Sequence, residues 1–186
     1  MEQLVQRLRS SLRGGRPFAL VDPSWPATWR SHMRRLADAF TGAPAVLVPT
    51  SGSSGMPRYC IHDMDTLQTA ASGFAQWRGA EGVPHAVNVL PAYHIGGLMP
   101  YFRCGQTGGR VHPADYRSAQ SIRTAPFPLE QAAISLVPTQ LRRMLANPEA
   151  LGLLRRFGLI LVGGAHCPAD VMKISRQAGL RLAPCY

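Results

Sequence analysis

The sequence predicts an α/β fold with a mostly parallel sheet and helices on both faces. Apolar runs of strand length alternate with amphipathic helical segments, glycine-bearing loops follow several of these runs, and 46% of the residues are hydrophobic,. Ligands of such sheets bind at the carboxyl ends of the strands. We therefore expect the loops after strands ending near residues 48, 90 and 162 to lie along one edge and to form the ligand site.

The first half of the chain begins with a predicted helix at 1–13, in which leucine and valine recur at helical spacing before two glycines end it,. A short strand at 18–21 follows, and the spacing of Trp29, Met33, Leu36 and Phe40 predicts a helix at 26–40,. The remaining predicted elements of this half are a strand at 45–48, a helix at 64–77, a strand at 86–90, a short helix at 97–104 and a strand at 110–112.

The second half begins with a proline-containing segment at 113–130, which predicts a loop with one helical turn near 118–123,. This segment is also the only plausible internal boundary. Pro138 favours the first turn of a helix, because its missing N–H is not needed there. The predicted strands that follow are at 132–137, 157–162 and 180–183. The predicted helices are at 138–146 and 168–178, with a second short helix between them that ends at 154.

The chain is strongly basic, with a formal charge of +10, and 19 of its 20 basic residues are arginines. These arginines are spread along helical segments instead of forming a stripe, so we expect no nucleic-acid partner and a general attraction for polyanions such as nucleotides and coenzyme A. The four cysteines lack zinc-ligand spacing, which predicts no metal site and a reduced, cytoplasmic protein,. The apolar runs are too short to cross a membrane.

The segment Thr50-Ser51-Gly52-Ser53-Ser54-Gly55-Met56-Pro57-Arg58 has the composition of a phosphate-binding loop. Its glycines let backbone N–H groups converge on an anion, its hydroxyls add donors, and Arg58 adds a fixed positive charge. On its own, the tract is equally consistent with a flexible linker. It is not a Walker A motif, because that motif requires four residues between the glycines and a Gly-Lys-Ser/Thr ending.

Three loops together resemble the motifs of the AMP-forming acyl/aryl-CoA synthetases, the adenylate-forming, AMP-binding enzymes. The first is the Gly/Ser loop just described. Leu90-Pro91-Ala92-Tyr93-His94-Ile95-Gly96-Gly97-Leu98 is similar to the family's Pro-x-x-His-x-x-Gly motif, and Gly163-Gly164-Ala165-His166-Cys167-Pro168 to its Gly-Gly-Ala-x-x-Pro segment. The stretch Ile134-Ser135-Leu136-Val137-Pro138-Thr139-Gln140-Leu141 resembles the o-succinylbenzoate-CoA ligase branch, which acts in menaquinone biosynthesis.

The resemblance, which covers about residues 45–186, implies a role for each loop. His94 and Arg58 would be the catalytic residues, with His94 beside the acyl pocket. The residues implied in ATP-phosphate binding are Thr50, Ser51, Gly52, Ser53, Ser54, Gly55 and Arg58. The acyl and adenine pocket would be lined by His94, Gly163, Gly164, Ala165 and Tyr186. ATP, Mg²⁺ and coenzyme A are the implied co-substrates.

The resemblance also implies that residues 1–186 form an incomplete AMP-binding N-terminal domain, with the C-terminal domain absent. The implied reaction joins a carboxylic acid to coenzyme A with cleavage of ATP to AMP and pyrophosphate. We expect the chain alone to be an inactive fragment, and a partner chain could supply the missing C-terminal part. The alternatives are a truncated paralogue that binds nucleotide without catalysis and an arginine-rich nucleic-acid-binding module.

Overall fold

A computed structural model describes residues 2–50, 57–79 and 82–185, with eight helices and eight strands in this part of the chain. The helices are α1 Glu2–Arg13, α2 Ala27–Asp38, α3 Met64–Arg78, α4 Ile95–Thr107, α5 Ala119–Arg123, α6 Pro138–Leu145, α7 Pro148–Leu154 and α8 Ala169–Gln177. The strands are β1 Phe18–Ala19, β2 Val46–Thr50, β3 Arg58–His62, β4 His85–Asn88, β5 Val111–Pro113, β6 Ala132–Leu136, β7 Leu159–Val162 and β8 Leu182–Pro184. A 3₁₀ turn, Leu129–Gln131, precedes β6.

The larger sheet has five strands in the order β5-β4-β6-β7-β8, and every neighbouring pair is parallel. Alternate residues of its central strands face opposite sides, as the two-residue period of a strand requires. Ile134, Ile160 and Val162 pack under α5 to α8, whereas Leu159 and Leu161 face Phe74 of α3. The predicted α/β class, with helices on both faces of a mostly parallel sheet, is confirmed.

A second sheet of three strands has the order β1-β2-β3 and separates β2 from the larger sheet. β2 is parallel to β1 and antiparallel to β3, with which it forms a hairpin. The expectation of a single sheet edge for all three loops is therefore wrong for the Gly/Ser loop, because β2 lies in the smaller sheet, whereas β4 and β7, which precede the other two loops, lie in the larger one. Strand β3, Arg58–His62, was not predicted, because its residues are largely exposed and lack a strong apolar alternation.

α3 and α4 pack together and connect the two sheets. Leu67 of α3 and Leu98, Met99 and Phe102 of α4 lie in one buried cluster with Val46 and Val48 of β2. The other side of the same helix pair covers the larger sheet, so each helix buries apolar surface in two directions,. None of the described helices is long and apolar enough to cross a bilayer.

Candidate active site

His94 lies at the carboxyl end of β4, as the residue that precedes α4. Buried Asn88, the last residue of β4, fixes this connection from both sides. Its Nδ2 donates a hydrogen bond to the Gly97 carbonyl at 2.9 Å, and its Oδ1 accepts one from the Leu90 N–H at 3.2 Å. Both polar ends of a buried amide are thus satisfied, and the turn that carries His94 is tied to the first turn of α4.

Gly97 allows this turn to approach α4 closely. A Cβ atom at Gly97 would lie 2.2 Å from the Pro91 carbonyl oxygen and 2.5 Å from that of Leu90. No side chain fits at that distance, so the Gly of the Pro-x-x-His-x-x-Gly pattern has a packing requirement here. The turn, and with it His94, is set by backbone contact and by Asn88.

Asp22 approaches His94 from the other sheet. It follows β1, and its Oδ2 lies 3.4 Å from His94 Nε2, with side chains that are 8% and 44% exposed respectively. The other carboxylate oxygen, Oδ1, accepts hydrogen bonds from the Ser24 N–H at 2.8 Å and the Ser24 hydroxyl at 2.6 Å. No local pattern distinguishes Asp22 in the sequence, because an aspartate in a turn between a strand and a helix is common.

The environment of Asp22 favours its ionised form. Burial of the carboxyl opposes ionisation, but the hydrogen bonds from Ser24 and the proximity of His94 and Tyr93 outweigh it, so the pKa of Asp22 lies below its ordinary 3.8,. Burial and the Asp22 carboxylate together raise the pKa of the Tyr93 phenol. Tyr93 and His94 also meet edge to face, with ring centroids 4.8 Å apart. A carboxylate, an imidazole and a phenol therefore form one cluster.

The Gly/Ser loop begins and ends at a cross-strand pair. Thr50 of β2 lies opposite Arg58 of β3, and both are exposed. The Thr50 hydroxyl also donates to the Arg58 carbonyl at 3.4 Å. The predicted phosphate-binding residues Ser51, Gly52, Ser53, Ser54 and Gly55 lie outside the described residues.

Because β1 and β2 are parallel neighbours, Thr50 and Asp22 lie at the same end of the smaller sheet,. That end is the one from which Asp22 contacts His94. The carboxyl ends of β1, β2 and β4 therefore converge, although β2 and β4 belong to different sheets.

The third predicted loop follows β7 and carries Gly163, Gly164 and Ala165. A Cβ atom at Gly163 would lie 2.9 Å from the Cys185 carbonyl oxygen, and Gly164 has a positive φ of 78°, which favours glycine,. Gly163 is thus explained by the close approach of Cys185, and Gly164 by its own backbone conformation. Gly164 and Ala165 are exposed at the same edge of the sheet as His94. Tyr186 lies outside the described residues.

A cavity of about 280 Å³ lies between the larger sheet and the C-terminal halves of α3 and α4. Arg103 of α4 lines it, beside Phe74, Ser135 and Leu161. The guanidinium carbon of Arg103 lies 4.5 Å from the centre of the Phe74 ring, and its Nε is buried without a hydrogen-bond partner among the described residues. Burial lowers the pKa of Arg103, so a bound anion would offset part of that cost,.

Arg103 is close enough to Cys185 for the two groups to affect each other's ionisation. Burial raises the pKa of the Cys185 thiol, and the Arg103 charge opposes this effect. Cys185 abuts Gly163, so the guanidinium lies toward the loop after β7. Arg103, one of the residues that line the cavity, thus lies near one of the three predicted loops.

Several other arginines pair with acidic side chains. Arg123 pairs with Glu149, Arg142 with Asp170 at 3.1 Å, and Arg156 with Glu130 at 3.0 Å. All six side chains are exposed, so the pairs contribute little stability, but they reduce the positive field on that side of the protein,. In the described ranges 2–50, 57–79 and 82–185, no three His, Cys, Asp or Glu side chains lie together as a metal site.

The fold and the candidate site together define a class: an α/β protein whose candidate loops meet at the carboxyl ends of parallel strands, where ligands of such sheets bind. The family is shown by the sequence itself, since residues 18–186 match the model of the AMP-binding enzyme family. The chain belongs to that family. This confirms the resemblance that the three loop motifs carry.

Curated relatives refine the likeness. The chain is 30% identical over 148 residues to the 2-succinylbenzoate–CoA ligase of Haemophilus influenzae, a match that covers 77% of this chain and 30% of that protein. It is 29% identical over 177 residues to the Escherichia coli K12 enzyme of the same name, covering 88% of this chain and 36% of that protein. A probable 2-succinylbenzoate–CoA ligase of Mycobacterium tuberculosis matches 98% of the chain at 23% identity, with 48% of its own length covered. The chain therefore spans between 30% and 48% of the length of these relatives.

Solved structures support the fold. E. coli MenE with a bound analogue of OSB-AMS superposes with a TM-score of 0.69 at 18% identity, covering 100% of this chain and 54% of that one. The o-succinylbenzoate coenzyme A synthetase of Bacillus subtilis, in complex with ATP and magnesium ion, gives a TM-score of 0.59 at 21% identity, covering 96% of this chain and 41% of that one. At these identities the likeness establishes the architecture alone.

Proposed function

We propose that this chain provides the ATP-binding and acid-binding part of an AMP-forming acid–CoA ligase whose substrate is o-succinylbenzoate. The observation that carries the proposal is the convergence of the loops after β1, β2 and β4 at one end of the molecule, in a chain of the AMP-binding family. The names of the curated relatives support the choice of acid.

In the first step of the proposed reaction, a carboxylate oxygen of the acid attacks the α-phosphorus of ATP. The bond to the pyrophosphate oxygen breaks, which gives an acyl-adenylate and pyrophosphate. The thiol of coenzyme A then attacks the acyl carbon, loses its proton and displaces AMP. The first step brings an anion to a polyphosphate, so the protein must offset negative charge around the phosphates.

Arg58 and the hairpin loop provide that charge compensation. Arg58 ends the loop on the strand opposite Thr50, where a fixed guanidinium can make two parallel hydrogen bonds to phosphate oxygens,. Backbone N–H groups of the loop and the hydroxyls of Thr50, Ser51, Ser53 and Ser54 are the proposed further donors. The described residues do not form a carboxylate cluster for Mg²⁺, so we assign no residue of this chain to the metal.

The cavity beside Arg103 supports o-succinylbenzoate as the acid. This substrate carries two carboxylates and an aromatic ring, and only one carboxylate is activated, so the other needs a cationic partner. Arg103 follows His94 by nine positions, roughly 13 Å along the axis of α4, and helical side chains lean back toward the N-terminus,. An aromatic acid can thus extend from His94 into the cavity, with its second carboxylate on the guanidinium and its ring against apolar walls.

The loops after β4 and β7 are the proposed borders of the acid and the adenine. His94 would flank the acyl group, and Gly163, Gly164 and Ala165 would leave room for flat ligands, with Tyr186 beside the adenine. We further propose that residues 1–186 are an incomplete AMP-binding N-terminal domain, because the curated relatives are two to three times longer. The remaining catalytic groups would come from further polypeptide or from a partner chain.

Two assays test the reaction. In ATP–pyrophosphate exchange and in CoA thioester formation with o-succinylbenzoate, we expect the 186-residue chain alone to show little or no turnover. Mixing it with the C-terminal part of the E. coli enzyme is expected to raise turnover. Robust turnover by the chain alone would refute the proposal that essential groups are absent from it.

Binding tests the site itself. We expect the chain to bind ATP, Arg58→Gln to weaken that binding by about 10-fold or more, and Arg58→Lys to retain most of it. ATP affinity that is equal in all three proteins would remove Arg58 from the phosphate site. A chain that binds duplex DNA with a steep salt dependence and shows no response to ATP would favour the nucleic-acid alternative.

The proposed identity of the acid and the role of Arg103 are tested by measuring o-succinylbenzoate binding with calorimetry. Arg103→Leu is expected to weaken binding by about 10- to 100-fold, because it removes a charge-assisted pair from a partly buried position,. Arg34→Leu is the matched control, since it removes the same charge from an exposed position on α2. Benzoate, which lacks the second carboxylate, should not distinguish Arg103→Leu from the parent chain. Equal losses with both acids would contradict the assigned role of Arg103.

A further inference from the structure

We propose that Asp22 is a positioning residue that holds the His94 imidazole in one orientation and one tautomer at the site. The functional part of this proposal rests on the ligase function proposed above. Asp22 lies outside all three sequence motifs, and 72 positions separate it from His94. Their contact crosses from the smaller sheet to the larger one.

The two oxygens of the Asp22 carboxylate have different partners. Oδ1 accepts both hydrogen bonds from Ser24 and so shapes the local turn,. Oδ2 faces His94 Nε2 at 3.4 Å. A residue required only for the turn would need no second oxygen on the imidazole, because an asparagine satisfies the same turn through its Oδ1.

The contact favours one of the two neutral tautomers of His94. An ionised carboxylate only accepts hydrogen bonds, so a carboxylate oxygen 3.4 Å from Nε2 favours the proton on that nitrogen in the neutral ring,. Nδ1 then keeps the lone pair. The buried position of Asp22 and its bonds from Ser24 keep the carboxylate ionised, which the lowered pKa of Asp22 also reflects.

Three neighbouring groups complete the surroundings of the pair, and one of them, the Tyr93 phenol, also hydrogen-bonds the Asp22 carboxylate. Arg30, on α2, donates to the Pro23 carbonyl at 2.8 Å. Tyr93 packs against the His94 ring edge to face, and Asn88 fixes the turn below it. The backbone of His94 is thus held from the larger sheet, while its ring is oriented from the smaller one.

The decisive experiment is ¹⁵N NMR of the His94 side chain in its neutral form. We expect the Nε2–H tautomer in the parent chain and in Ser24→Ala, which removes one bond to Oδ1 and leaves Oδ2 intact. Asp22→Asn is expected to switch His94 to the Nδ1–H tautomer, because the amide retains the turn through its oxygen and presents N–H donors to Nε2. An unchanged tautomer in Asp22→Asn overturns the proposal.

A second test changes His94, the more exposed partner of the pair, so that it does not depend on Asp22 variants that fail to fold. In His94→Gln, the Asp22 carboxyl should titrate at higher pH than in the parent chain, because the histidine charge that favours the carboxylate is gone,. An unaltered titration would overturn the coupling.

Binding of o-succinylbenzoate provides the functional readout. Asp22→Asn should weaken binding of the acid by about two- to fivefold, the range for a partly exposed ion pair. The double variant that combines Asp22→Asn with His94→Gln should bind no worse than His94→Gln alone. Additive losses would refute the positioning role. If no version binds the acid, the ligase proposal fails while the tautomer and titration results still decide whether Asp22 orients His94.

Discussion

Replacing Gly97 by alanine probes the turn that carries His94. The new Cβ atom would lie 2.2 Å from the Pro91 carbonyl oxygen, whereas ordinary contacts begin near 3.4 Å. The obstructing atoms are backbone carbonyls next to a turn that Asn88 ties down, so they have to move by about 1 Å,. We assign to this overpacking a loss of about 3 kcal/mol in the free energy of unfolding. Alanine stabilises a helix by about 1 kcal/mol more than glycine, which offsets part of that loss. The expected net loss in the free energy of unfolding is about 2 kcal/mol.

The assay is urea unfolding of the 186-residue chain, followed by tryptophan fluorescence and far-UV circular dichroism. Gly73→Ala is the matched control, because Gly73 lies within α3 and a Cβ atom there meets nothing within 4 Å. This variant should be more stable than the parent by about 0.5 to 1 kcal/mol. The slope against urea should stay constant in all three proteins. A loss below about 0.5 kcal/mol for Gly97→Ala would refute the claim that the turn is rigid against α4.

Three further predictions concern other parts of the chain. Asn147→Ala should lower the free energy of unfolding by about 1 kcal/mol in the same assay, because the Asn147 side chain accepts the Ala150 N–H at 3.0 Å and caps α7,. The lowered pKa of Asp22 stabilises the fold above its unfolded value of 3.8, and this contribution disappears as the pH falls through the folded pKa, so unfolding between about pH 2 and 5 should depend less on pH in Asp22→Asn,. Burial raises the pKa of the Cys104 thiol to about 12, so mass spectrometry after brief iodoacetamide treatment should find exposed Cys60 alkylated and Cys104 intact,.

The centre of the larger sheet could be predicted well from the sequence because strands β6 and β7 are buried on both faces. Ala132–Leu136 and Leu159–Val162 are short, largely apolar runs that end near a proline or a glycine. Segments of this kind are stable mainly as strands buried within a sheet. The helix after His94 was less well predicted. It begins two residues earlier and ends three residues later than the expected 97–104, because packing against α3 and both sheets outweighs the unfavourable glycines and Pro100,.

The residues that position His94 were not predictable from local patterns. Asn88 reads as a polar residue within the predicted strand 86–90, and Asp22 reads as a turn residue before a helix. Their roles depend on tertiary contacts, one to the first turn of α4 and one across the two sheets. The hairpin strand Arg58–His62 was missed for a related reason, since an exposed strand has little hydrophobic pattern and depends on pairing with β2,.

The contact between Asp22 and His94 adds a polar link between two sheets that α3 and α4 already join through buried apolar side chains. β2 carries the hairpin loop, β4 carries His94, and the two strands lie in different sheets. Asp22 follows β1, the parallel neighbour of β2, and reaches the residue that starts α4. A displacement of the smaller sheet would therefore move the hairpin and the imidazole together. Because adenylation requires the acid carboxylate and the phosphates to meet in a defined geometry, such a link between the two sheets would preserve their relative placement.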